Sequence, residues 1–186
     1  MMNTNAEIEK LRYPIGKFEK PEAIMPDLIN QWISEIELFP SRMILLTKDL
    51  AEVELNWRYR PNGWTIRQVV HHCADSHMNS FIRFKLCLTE NIPTIKPYFE
   101  DKWAELPDTT EANISESVKI IEGLHSRWTH LLRSLKPEDM KKEFIHPEQG
   151  RRISIEENIG IYAWHSNHHL AHIKQAINFK GKFSSR

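Results

Sequence analysis

The sequence predicts an all-α fold, a four-helix bundle, and three observations carry that expectation. Four long stretches repeat apolar residues at helical spacing. Two of them open on capping-box patterns, Thr65 with Gln68 and Ser154 with Glu157. Only six glycines occur in 186 residues, which leaves little room for the tight turns of a sheet protein.

Residues 1–25 are expected to form an extended N-terminal segment. The first long helix is expected from Asp27 to Asp49, with Pro26 placed for a helix start. Its apolar face is Ile29, Trp32, Ile33, Ile36, Met43 and Leu46, and Pro40 predicts a kink or break near Phe39. The second runs from Thr65 to about Leu88, with Trp64 and Val69 at the positions of a hydrophobic staple. Its seam is Ile66, Val70, Cys73, His77, Phe81, Phe84 and Leu88. The third spans Ser115 to Leu135 and ends before Pro137, and the fourth begins at Ser154 and continues to about Phe179. Two connections, Asn91–Thr110 and Lys136–Ile153, exceed the roughly two to eight residues usual between bundle helices. Such loops are candidates for covering a site or reaching another subunit. The second carries a hairpin signal around Phe144–Ile155, with Gly150 between two short apolar–polar runs. The chain, 1–186, reads as a single domain.

Composition excludes several function classes. Lys+Arg and Asp+Glu both number 25, so the formal charge is zero and no global field steers the chain onto nucleic acid. No apolar run approaches the ~18–20 residues of a membrane span, and the first residues lack a signal-peptide core. A cytoplasmic protein with no nucleic-acid or membrane partner is expected. Cys73 and Cys87 lie 14 residues apart on one predicted helix, about 21 Å by its rise, too far to bridge. Phosphate-loop, dinucleotide and G-x-S-x-G motifs are absent.

Histidine is the unusual entry. Seven of ten fall in two windows: His71, His72 and His77 in one, His165, His168, His169 and His172 in the other. On the fourth helix His168 and His172 share a face at i, i+4 spacing and can converge on one ion, with His165 one turn earlier. His169 lies about 100° round from His168, a poorer position for the same ion. On the second helix the periodicity leaves His71, His72 and His77 open as the further ligand. His125, His130 and His146 stand alone and read as ordinary hydrogen-bonded histidines.

The segment Gly63-Trp64-Thr65-Ile66-Arg67-Gln68-Val69-Val70-His71-His72, continuing Ala74-Asp75-Ser76-His77-Met78-Asn79-Ser80, resembles the helix-two signature of the YfiT-type proteins of the DinB-like superfamily. These carry the provisional name of metal-dependent hydrolases. His165-Ser166, then His168-His169-Leu170-Ala171-His172-Ile173, match the end of the pattern. Tyr13-Pro14-Ile15-Gly16 and Leu124-His125-Ser126-Arg127-Trp128 also fit, so the resemblance covers nearly the whole chain. It implies a DinB-like four-helix bundle, commonly a homodimer, with one divalent metal per chain held by three histidines. Carried over residue by residue, these are His72, His168 and His172, with His165 the first substitute and His77 a core or supporting histidine. Asn167 departs from relatives that often carry histidine there.

Three protein ligands leave coordination positions for water or substrate, the pattern of a catalytic site. The reading this favours is a hydrolase acting on a small molecule, with zinc the first choice of metal and nickel, manganese or iron as alternatives. Related DinB-like proteins include transferases using low-molecular-weight thiols such as bacillithiol, so a thiol S-transferase is the runner-up. A metal-stabilised binding or stress-response module without turnover is the third reading. Asp75, one turn beyond His72, is a candidate to orient a ligand histidine, or else a solvated carboxylate. Glu157 lies on the histidine face but has a capping role, and no residue stands out as a general base.

Overall fold

Pro26, Thr65, Asn113 and Ser154 mark the starts of the four long helices in a computed structural model, which describes residues 5–183. In chain order the elements are α1 (Asn5–Arg12), α2 (Pro26–Thr47), a 3-10 turn (Glu54–Asn56), α3 (Ile66–Thr89), α4 (Glu100–Trp103) and α5 (Pro107–Thr110). They continue with α6 (Ile114–Ser134), α7 (Pro137–Met140), β1 (Glu143–His146), β2 (Arg151–Ser154) and α8 (Ile155–Phe179). The helix starts have local causes. Thr65 and Gln68 form both halves of a capping box, whereas Ser154 accepts from the Glu157 amide without the reciprocal bond. The Glu157 carboxylate is drawn instead to Lys20 at 2.8 Å and Arg151 at 2.6 Å.

Two expectations change. The N-terminal segment is not extended throughout, since residues 5–12 form α1. Ala, Glu, Lys, Leu and Arg dominate that stretch and are strong helix formers. The segment docks through its end, where the Leu11 carbonyl accepts from Gln175 at 2.9 Å. The first long helix runs through Pro40 without a break. The proline removes the N–H that the Ile36 carbonyl would use, and a side chain from α6 supplies a donor in its place.

α2 packs against α6 and α8, and α3 packs against the same two, so sequential helices α2 and α3 sit diagonally across the bundle. The long 48–65 and 135–154 connections allow these diagonal crossings. One core cluster centres on Ile36, Phe84, Trp128, Phe144 and Ile159, and the other on Phe39, Met43, Val70, Cys73 and Ile173. Cys73 and Cys87 are buried and unbridged. The expected hairpin is present, β1 pairing antiparallel with β2, and Gly150 takes the left-handed conformation its turn requires. Among the described residues no helix is long and apolar enough to cross a membrane.

Gly160 lets α8 close on α2. A Cβ there would lie 2.8 Å from ring carbons of Trp32. Gly160→Ala is therefore expected to destabilise the fold by about 1–3 kcal/mol through overpacking, read as a lower urea midpoint. An unchanged midpoint would mean that Trp32 swings aside freely.

Candidate metal centre

The adjacency of α3 and α8 brings the two histidine windows together. The ligand-type nitrogens of His72, His165 and His169 all lie within 4.8 Å of one another. His72 Nε2 and His165 Nε2 are 3.3 Å apart. Two nitrogens bound to one zinc at about 2.0–2.1 Å in tetrahedral geometry would be separated by roughly 3.3–3.4 Å. The donor set is chemically suited to a divalent ion, since imidazole is an intermediate ligand accepted by zinc, nickel and iron alike.

The structure does not gather His72, His168 and His172 into that cluster. His168 stacks on Trp164, with ring centroids 4.5 Å apart, and faces Tyr13 at 5.7 Å. His172 lies flat on Tyr59 at 3.7 Å and bonds the Arg12 carbonyl through Nε2 at 3.0 Å. The cause is rotation about the helix axis. From the mean direction of the α8 seam (Ile155, Ile159, Tyr162, Ile173, Ile177), at 100° per residue, His165 and His169 lie about 50–90° away. His168 and His172 lie about 110–150° away, lining the same cleft but outside the cluster. Sequence reasoning ranked His169 as the poorer ligand because its angle was judged against His168 rather than against the apolar seam.

Burial keeps these rings neutral, the form that binds metal. It lowers His72 to about 3, with the His168 ring adding to the effect, and lowers the pKa values of His165 and His169 as well. His168 is pushed down to about 4 by burial and His172 to about 3. The cluster opens on a cleft of ≈ 300 Å³ walled by Tyr13, Tyr59, Trp64 and Trp164, with Arg60 and Glu100 also lining it. Glu100 arrives on the Asn91–Thr110 connection and lines both this cleft and an adjoining cavity reached past His165.

Other sequence candidates take defined places. Among the described residues no histidine ring bonds the Asp75 carboxylate, whose pKa is raised to about 6 by burial and by the Asp108 carboxylate. Asn167 turns toward α2, donating to Glu35 at 2.9 Å, so the departure from histidine there leaves the cluster untouched. His77 is fully buried and bonds His125 and His165, which makes it a supporting histidine. His125, read from the sequence as an ordinary histidine, belongs to the same network. His71 is held by Ser117 at 2.7 Å, away from the cluster.

Fold and site together define a helical-bundle protein with a buried histidine cluster of metal-ligand type, and comparison with known proteins places it in a family. The profile of the DinB superfamily matches residues 35–173, and the chain belongs to that superfamily. It is 51% identical over 166 residues to a Bacillus mycoides protein, covering 89% of this chain and 95% of that one. A Bacillus cereus protein is 53% identical over 163 residues, covering 88% and 93%. Both bear the provisional name of metal-dependent hydrolase. Among solved structures, YfiT of Bacillus subtilis superposes with a TM-score of 0.90 at 44% identity, covering 94% of this chain and 99% of its own. That protein is described, again provisionally, as a metal-dependent hydrolase with an unusual four-helix bundle topology.

Proposed function

We propose that the chain is a metal-dependent hydrolase whose single divalent ion is held by His72, His165 and His169. The observation that carries this reading is the convergence of three neutral imidazoles from α3 and α8 at the floor of an open cleft. A divalent ion bound by three imidazoles supplies Lewis acidity to a water molecule or a substrate carbonyl in its remaining positions. The chain's own residues do the rest. Tyr13, Tyr59, Trp64 and Trp164 give the cleft aromatic walls for the body of a small substrate. Glu100 is the carboxylate placed to exchange a proton between the cleft and the adjoining cavity. Zinc is the first metal to test, then nickel, manganese and iron. The homodimer implied by the family resemblance is part of this proposal, and light scattering at two concentrations tests it.

The deciding experiment strips the full chain with a chelator, reloads it with Zn²⁺ or Ni²⁺, and assays a panel of activated esters and amides with and without added cysteine as a thiol. Hydrolysis that needs metal, needs no thiol and disappears in His72→Ala is the expected result. Turnover that requires the thiol would replace hydrolysis by S-transfer, the alternative chemistry. Absence of any metal-dependent reaction, with a large fall in Tm on chelation, would leave a metal-stabilised binding module.

A further inference from the structure

We propose that two histidine relays, each ending on a backbone carbonyl, set the tautomers of His165 and His169 and so present both Nε2 lone pairs to the metal. The inference rests on the three-histidine reading above, and it makes His77, His125 and His172 positioning residues.

The first relay begins with a proline. Pro40 has no N–H, so the Ile36 carbonyl four residues earlier has no helical donor. His125 Nδ1, from α6, lies 2.6 Å from that oxygen. A carbonyl can only accept, so Nδ1 of His125 carries the hydrogen and Nε2 of the neutral ring becomes an acceptor. His77 Nδ1 is 2.7 Å from His125 Nε2 and must therefore donate. Its Nε2 then accepts from His165 Nδ1 at 3.0 Å. That leaves Nε2 of His165 without a hydrogen, and it is the atom that faces His72 Nε2 at 3.3 Å, with the Ser76 hydroxyl 3.5 Å away. The relay passes through all four long helices, α2 to α6 to α3 to α8.

The second relay is shorter. Arg12 ends α1, where a helix leaves its last carbonyls without partners. Its carbonyl accepts from His172 Nε2 at 3.0 Å, so His172 Nδ1 is an acceptor. His169 Nδ1, 3.4 Å from it, then donates, and Nε2 of His169 is left bare. Stacking on Tyr59 holds the His172 ring in this plane.

Both relays are secluded. His77 is fully buried, His125 is 1% exposed and His172 2%. Among the described residues no carboxylate hydrogen-bonds to any ring of either relay. The usual partner of a metal-binding histidine is a carboxylate, a backbone carbonyl or water. Here the carbonyl acts through intervening imidazoles, which orients the ligand without placing a negative charge beside the ion.

The test is long-range ¹H–¹⁵N correlation of histidine-labelled, metal-free full-length protein, wild type and two variants. Expected in the wild type is hydrogen on Nδ1 of His125, His77, His165 and His169, and on Nε2 of His172. His125→Phe is expected to move the hydrogen of His165 to Nε2 while leaving His169 unchanged, and His172→Phe to do the converse. Each variant should weaken Zn²⁺ binding, measured by chelator competition, on the order of 10–100-fold with all three ligands still present. Hydrogen on Nε2 of His165 and His169 in the metal-free wild type overturns the proposal, whether or not the variants fold. Correct tautomers in a wild-type protein that binds no Zn²⁺ would uphold the relays and sink the three-ligand reading instead.

Discussion

Replacing His169 by alanine is expected to strip the metal from the protein, whereas replacing His168, one position earlier, is expected to leave it bound. The two rings differ by about 100° around α8, and only His169 turns its nitrogens toward His72 and His165. Removal of one of three ligands should cost more than the 10–100-fold typical of losing a supporting partner, so an affinity loss above about 100-fold is expected. Metal analysis of the purified variants reads this directly. The wild type and His168→Ala should carry about one ion per chain, and His169→Ala and His165→Ala close to none. Stoichiometric metal in His169→Ala, with loss in His168→Ala, would restore the set His72, His168 and His172. His168→Ala also removes a ring stacked between Trp164 and Tyr13, so a modest fall in Tm without loss of metal is the expected side effect.

The second large effect is acid sensitivity of the metal-free protein. His125 is buried, and its pKa falls from an ordinary 6.5 to about 4, mainly through burial, with its bond to the Ile36 carbonyl opposing the change. The unfolded chain therefore binds the extra proton first as pH drops. The contribution is fully present above about pH 6.5 and is lost progressively down to about pH 4. At roughly 1.4 kcal/mol per pH unit, His125 alone accounts for about 3 kcal/mol over that window. Urea midpoints across it should fall as pH falls, and His125→Phe should flatten part of the slope. Bound metal competes with protons for the ligand rings, so Zn²⁺ should move the fall to lower pH. A midpoint independent of pH between about 6.5 and 4 in the metal-free wild type would mean that the buried rings are hydrated or already charged.

The bundle was legible because each long helix is specified locally. Thr65 with Gln68 caps α3 as read, and the apolar residues of the α2, α3 and α8 seams fill the two cores. Even the hairpin was visible, from Gly150 between two short apolar runs. Pro40 was read as a kink or break, and the helix is unbroken there for an instructive reason. A proline breaks a helix when the freed carbonyl finds no donor, and the donor here comes from His125, 85 positions further along the chain. α1 was missed because a two-turn helix carries too little periodicity to distinguish it from an extended lead-in.

The histidines divide along the same line. Clustering of seven rings in two windows, in the register of the DinB superfamily, already pointed to a site between α3 and α8 with His72 as a candidate member. The sequence holds two overlapping i, i+4 pairs on α8, His165 with His169 and His168 with His172, and local spacing treats them alike. Only the packing of α8 against α3 decides between them, because that contact sets which side of the helix is turned inward. Tertiary structure likewise links His77, read as a supporting histidine, His125, read as an ordinary one, and His172, read as a ligand, into two hydrogen-bonded chains. A hydrogen bond between side chains on different helices depends on distances near 3 Å, and no one-dimensional period encodes those.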